Sequence, residues 1–151
     1  MNLEQRLANL MAVPEFRGVS TQARAMMAAA MREEFFAKGE TLIAAGEHGD
    51  RVFVLCEGAL EVVQSPMPGV VRRLARGALL GELAFFADDV RTATVRATAD
   101  CVLLSLGYEN FRAVLLKYPE IALILAGRIV RTLRAAETAL AQARNAASHK
   151  E

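Results

Sequence analysis

The chain has 151 residues and a net charge of +1 from 18 basic and 17 acidic side chains. That length suits one domain with a sizeable core, and the balanced charge excludes the strong positive field of a nucleic-acid or polyanion binder. Two cysteines, Cys56 and Cys101, are too few for a disulfide framework and lie in apolar runs, as buried free thiols in a reducing cytosol would.

Residues 1–32 read as an amphipathic helical segment, broken at Pro14 and again near Gly18. Ser20 is placed to cap a helix running through Met26, Met27 and Met31. From residue 33 to 107 the character changes. Short β-rich runs at 33–36, 41–43, 52–56, 60–64, 70–74, 93–97 and 101–106 alternate with turns marked by Gly39, Gly46, Gly49, Gly58, Gly69 and Gly77. Many short strands at this spacing mean a barrel or a jelly-roll-type sandwich, and composition alone leaves several β architectures open. Residues 108–147 return to helix, in two pieces, because Pro119 suits a first helical position and disfavours helix at Tyr118. Residues 145–151 read as a frayed tail. No uninterrupted apolar run is long enough to cross a membrane, and Met1-Asn2-Leu3-Glu4 does not begin a signal peptide, so the expected location is cytoplasmic. The mean hydropathy of +0.25 is high for a soluble monomer and hints at a buried partner surface.

The chemistry-bearing stretch is Gly81-Glu82-Leu83-Ala84, then a spacer from Phe85 to Val90, then Arg91-Thr92-Ala93-Thr94-Val95. A glycine opens a turn, and the free amides at the start of a short helix favour an anion. Arg91 can fork onto two phosphate oxygens. Glu82 cannot bind a phosphate, since like charges repel, but it can accept a hydrogen bond from a sugar hydroxyl. One acid and one arginine therefore match a ligand with a hydroxyl on one edge and a single negative charge on the other. Simpler roles exist for each. Glu82 could be a helix-start carboxylate. Arg91 could pair at the surface with Asp88 or Asp89, but such pairs contribute only about 0–1 kcal/mol and leave the surrounding motif unexplained.

This combination resembles, without gaps, the phosphate-binding cassette of the cyclic nucleotide-binding domain family. Phe36-Ala37-Lys38-Gly39-Glu40-Thr41-Leu42 is similar to that family's first strand and turn. Gly46-Glu47-His48-Gly49-Asp50-Arg51-Val52 followed by Gly58 is similar to its second signature, and Val13-Pro14-Glu15-Phe16 to its N-terminal helical segment. The resemblance implies an α+β fold: an antiparallel, jelly-roll-like β-roll with N-terminal helices, a cassette over 80–95 with a short helix, and two C-terminal helices. It implies a ligand, cyclic AMP or cyclic GMP, held by Gly81, Glu82, Leu83, Ala84, Arg91, Thr92 and Ala93. Thr92 beside the arginine is compatible with either base, and cyclic AMP is preferred. Gly46, Gly49 and Gly58 are assigned to structure.

In this family a residue of the C-terminal helix covers the base, and Arg131 and Leu133 are the candidates for that lid. Ala136-Glu137 stands where the catabolite activator branch carries a Thr-Ser pair, which puts that branch's cross-subunit base contact in doubt here. The same helix carries Ala122, Ala126, Ile129, Leu133, Ala136, Leu140, Ala143 and Ala147 at spacings of three and four, a seam suited to a homodimer. His48 and His149, far apart, supply no metal set, and no nucleophile, base and orienter come together, so neither cofactor nor enzyme is expected. The chain carries no recognition helix or dense basic face for direct DNA binding. The expectation is a sensor that moves its C-terminal helices to bias a downstream protein not identified by the sequence. The alternatives are a ligand-independent dimerising module of the same fold, or the sensor fragment of a transcription regulator or channel.

Overall fold

A computed structural model describes residues 1–64, 71–88 and 90–148. The expected strand start at Val70, the candidate ion-pair partner Asp89 and the tail residues His149, Lys150 and Glu151 lie outside the described residues. The chain opens with α1 (Leu3–Met11), whose N-terminus is closed by a capping box between Asn2 and Gln5. A 3-10 turn at Pro14–Phe16 marks the break at Pro14. In α2 (Thr21–Ala30) the Ser20 hydroxyl accepts the Ala23 N–H. This helix stops one residue short of the expected Met31, whose extended backbone leads directly into the first strand.

Eight strands follow among the described residues: β1 (Arg32–Phe36), β2 (Thr41–Ile43), β3 (Arg51–Glu57), β4 (Leu60–Gln64), β5 (Val71–Leu74), β6 (Leu79–Leu80), β7 (Ala93–Ala97) and β8 (Cys101–Gly107). They form two four-stranded sheets, in the orders β1-β8-β3-β6 and β2-β7-β4-β5, with every pair antiparallel. Two residues carry no periodicity, which is why β6 has no counterpart in the sequence-based assignment. A short helix, α3 (Glu82–Phe86), sits between β6 and β7, and α4 (Tyr108–Lys117) and α5 (Pro119–Ser148) complete the chain.

The central strands explain the unbroken apolar runs. Alternate residues of a strand face opposite sides, so Val52, Val54 and Cys56 of β3 join a core shared with the helices. Phe53 and Leu55 point the other way into the core between the sheets, with Ile43, Leu60, Val95 and Leu103. Both faces are covered, hence no polar alternation. Burial pushes the Cys56 thiol up to about 11, where it is neutral and unreactive.

The long last helix is anchored at one end only. Ile121 and Leu125, one turn apart, are fully buried against the helical core, whereas every residue from Val130 to Ser148 is exposed. The expected fraying from Asn145 does not occur before Ser148, since the alanine-rich stretch favours helix over coil. This asymmetry predicts different costs at neighbouring positions. Ile121→Ala should lose about 2–5 kcal/mol, whereas Leu123→Ala, two residues on and 75% exposed, should change stability by no more than about 0.5 kcal/mol. Urea unfolding of the two variants measures both, and equal losses would contradict this seating of the helix.

Candidate functional site

The site is built at the β6–α3 junction. Gly81 takes a left-handed backbone, φ 86°, and turns the chain from β6 into α3. Space imposes a second demand there. A Cβ on Gly81 would lie 2.6 Å from Arg91 Nη1 and 2.8 Å from the Arg51 carbonyl oxygen. Glu82, the first residue of α3, is only 4% exposed. The leading amides of a helix have no partner within it, so this turn presents N–H groups beside a buried carboxylate.

Arg91 arrives from the start of β7 and is also buried, at 7% exposure. Its Nη1 donates to the Gly81 carbonyl and to the Tyr108 hydroxyl, both at 3.1 Å, and its Nη2 donates to the Arg51 carbonyl at 2.9 Å. Its backbone is gripped as well. Gly46 N–H donates to the Arg91 carbonyl at 2.9 Å, and Arg91 N–H donates to the Glu47 carbonyl at 2.8 Å. Gly49 packs directly on the guanidinium: a Cβ there would come within 2.6 Å of both Cζ and Nε. The Gly46-to-Arg51 signature is thus the holder of Arg91. Among the described residues Arg91 makes no ion pair, so the surface pairing with Asp88 does not form.

Opposite the cassette stands α5. Arg128 Nη1 lies 3.2 Å from Glu82 Oε1, its Nε lies 3.4 Å from Glu15 Oε1, and its Nη2 donates to the Leu79 carbonyl at 3.4 Å. One side chain of the last helix therefore ties together the N-terminal turn, strand β6 and the cassette carboxylate. The Nη1 contact is an ion pair without hydrogen-bond alignment, and Nη1 is a buried donor with no acceptor among the described residues. Burial raises the Glu82 pKa above its ordinary value, against the lowering effect of Arg128.

Gly81, Glu82, Leu83, Ala84, Arg91, Thr92 and Ala93 all line one cavity, closed on its far side by Ile43, Val62 and Arg72 of the second sheet. The lid candidates stand elsewhere. Arg131 and Leu133 are exposed and outside the lining, and the α5 residues that reach the cavity are Arg128, Ile129 and Thr132. A spacing of one, three and four puts these three on a common face. The seam pattern could have singled out Ile129, but nothing in the sequence separates Arg128 from Arg131. Tyr108 and Arg72 were likewise not legible. Among the described residues no cluster of potential metal ligands exists, and no helix is long and apolar enough to cross a membrane.

The cassette geometry agrees with similarity to known proteins. The profile of the family described as "Cyclic nucleotide-binding domain" matches residues 33–118. A cAMP-dependent protein kinase regulatory subunit of Candida albicans is 30% identical over 99 residues, covering 66% of this chain and 21% of that protein. A cyclic nucleotide-gated potassium channel of Rhizobium etli is 33% identical over 111 residues, covering 74% of this chain and 30% of the channel. The crystal structure of the Thermus thermophilus catabolite activator protein superposes with a TM-score of 0.76 at 25% identity, over 84% of this chain and 61% of that one. The chain thus spans less than a third of the two curated relatives named. With profile, fold and relatives in agreement, the chain belongs to the cyclic nucleotide-binding domain family, related to kinase regulatory subunits, nucleotide-gated channels and catabolite-activator-type regulators.

Proposed function

We propose that this domain is a sensor for a cyclic mononucleotide, cyclic AMP in first place, bound in the cavity between the cassette and α5. The observation that carries this reading is the pairing of buried Glu82 with buried Arg91 on one cavity wall. A buried acid beside a buried base suits a ligand that offers a hydroxyl donor to one and an anion to the other. The ribose 2′-hydroxyl donates to Glu82, and the cyclic phosphate accepts from Arg91 and from the first amides of α3. The acceptor-free Nη1 of Arg128 supports the same reading, because its unaligned contact with Glu82 is one that a ligand hydroxyl can replace. Thr92 at the cavity wall could accept from the exocyclic amino group of a syn guanine, and on that ground cyclic GMP is the second reading.

The output follows from competition. A ribose hydroxyl on Glu82 takes the place of Arg128, and release of Arg128 also loosens its contacts with Glu15 and Leu79. A second link runs through Phe85 of α3, whose ring packs edge-on against Tyr108 and Phe111 of α4. Ligand occupancy thus biases the two C-terminal helices, as differential contact requires. The exposed seam of α5, including Leu133 and Leu140, is the surface proposed to pair with a second copy or to carry the signal onward. Location in the cytoplasm belongs to the same proposal.

Two substitutions test the assignment. Arg91→Ala should weaken cyclic AMP binding by about 2–5 kcal/mol, read by calorimetric titration, and a loss under about tenfold would remove Arg91 from the phosphate. Glu82→Gln should narrow the gap in affinity between cyclic AMP and its 2′-deoxy analogue, and an unchanged gap would remove Glu82 from the sugar. The same variant carries a pH signature without ligand. Because the folded state raises the Glu82 pKa, its stabilising contribution is full below the unfolded value near 4.5 and is lost as pH rises through the folded value. The unmodified chain should therefore lose stability relative to Glu82→Gln on moving upward through that window. A difference independent of pH would contradict it.

A further inference from the structure

Arg91 has five N–H donors, and the protein uses three of them, on the Gly81 carbonyl, the Tyr108 hydroxyl and the Arg51 carbonyl. Nε–H and one Nη2–H have no partner among the described residues, and a phosphate accepts two such bonds from a guanidinium edge. Three acceptors orient that edge, and the Tyr108 hydroxyl is the one supplied by a side chain. It accepts from Arg91 Nη1 at 3.1 Å and donates to the Gly81 carbonyl at 2.6 Å, closing a small ring of bonds with the cassette turn. Tyr108 is itself held three ways. Its N–H donates to the Asp50 carbonyl at 2.9 Å, its ring meets Phe85 at 5.2 Å, and its hydroxyl lies so near Gly49 that a Cβ there would stand 2.7 Å away.

We propose that Tyr108 is a positioning residue for the phosphate: through Arg91 Nη1 it sets the rotation of the guanidinium, and so decides which exocyclic phosphate oxygen the arginine meets. The inference rests on the cyclic nucleotide reading given above. It adds to that reading a residue from α4, outside the cassette, and a specificity for phosphate geometry rather than for the base. Gly49 belongs to the same device, since any side chain there would strike both the guanidinium and the hydroxyl.

The test titrates the unmodified chain and Tyr108→Phe with cyclic AMP and with its two phosphorothioate diastereomers, in which sulfur replaces one or the other exocyclic oxygen. The unmodified chain should prefer one diastereomer. Tyr108→Phe should bring the ratio toward one and weaken cyclic AMP by about three- to tenfold, the effect of one lost hydrogen bond. In an Arg91→Lys background, where no fork remains to be oriented, Tyr108→Phe should change neither quantity. A tyrosine that only supports the fold would lower affinity equally in both backgrounds and leave the ratio intact, and that result overturns the inference. Should Tyr108→Phe not fold, the unmodified chain decides by NMR: a slowly exchanging Tyr108 hydroxyl proton with cross-peaks to the Arg91 Nη1 protons supports the clamp, and a freely exchanging hydroxyl overturns it. Absence of nucleotide binding by the unmodified chain overturns the functional reading, and this inference with it. Binding with no preference between diastereomers overturns this inference alone.

Discussion

Two charges taken out of water on one cavity wall are the constraint around which this molecule is arranged. Burying an ion costs on the order of several kcal/mol unless bonds replace its hydration. Arg91 meets that cost with carbonyls from Gly81 and Arg51 and with the Tyr108 hydroxyl. Glu82 meets it incompletely, through its own backbone N–H and an unaligned contact with Arg128, and burial still raises its pKa. The arginine end is fixed by three hydrogen bonds. The carboxylate end is provisional, held by a side chain from a helix whose fully buried residues, Ile121 and Leu125, both lie near its start. A domain built this way keeps a fixed point for an anion and an exchangeable partner for a hydroxyl.

The β-roll exists, in this sense, to bring distant segments to those two groups. The Gly46-to-Arg51 turn reaches Arg91 because β3 lies beside β8 and β6 in the first sheet, while β7 lies in the second. Tyr108 reaches the same guanidinium because β8 ends at Gly107 and the first residue of α4 points back under the cassette. The aromatic contacts of Phe85 with Tyr108 and Phe111 then join α3 to α4, and α4 leads at Pro119 into α5. The cavity wall and the C-terminal helices thus share side chains rather than being joined through a separate path.

Much of this was legible in the sequence, for identifiable reasons. The cassette is local, so its glycine, acid and arginine stand within a dozen positions and declare their chemistry together. The strands were legible because turns at Gly39, Gly46 and Gly58 need left-handed backbone and because β-branched runs separate them. What escaped was contact across long sequence distances. Arg128 and Arg131 look alike on paper, and only the seating of Ile121 and Leu125 turns Arg128 inward and leaves Arg131 in solvent. Tyr108 gave no signal, because an aromatic at a helix start reads as core until its hydroxyl is seen 3.1 Å from a guanidinium. Gly49 read as a turn residue. Its φ is not among the positive ones, and its real constraint is the side chains packed on it.

The cavity is proposed to take a cyclic mononucleotide. The most direct measurement is a calorimetric titration of the chain, unfolded and refolded to strip any retained ligand, with cyclic AMP, cyclic GMP and 5′-AMP. Saturable binding of a cyclic nucleotide is expected, cyclic AMP the tighter, and none of 5′-AMP. No heat and no thermal stabilisation with either cyclic nucleotide would contradict it, and would leave a ligand-independent module of the same fold.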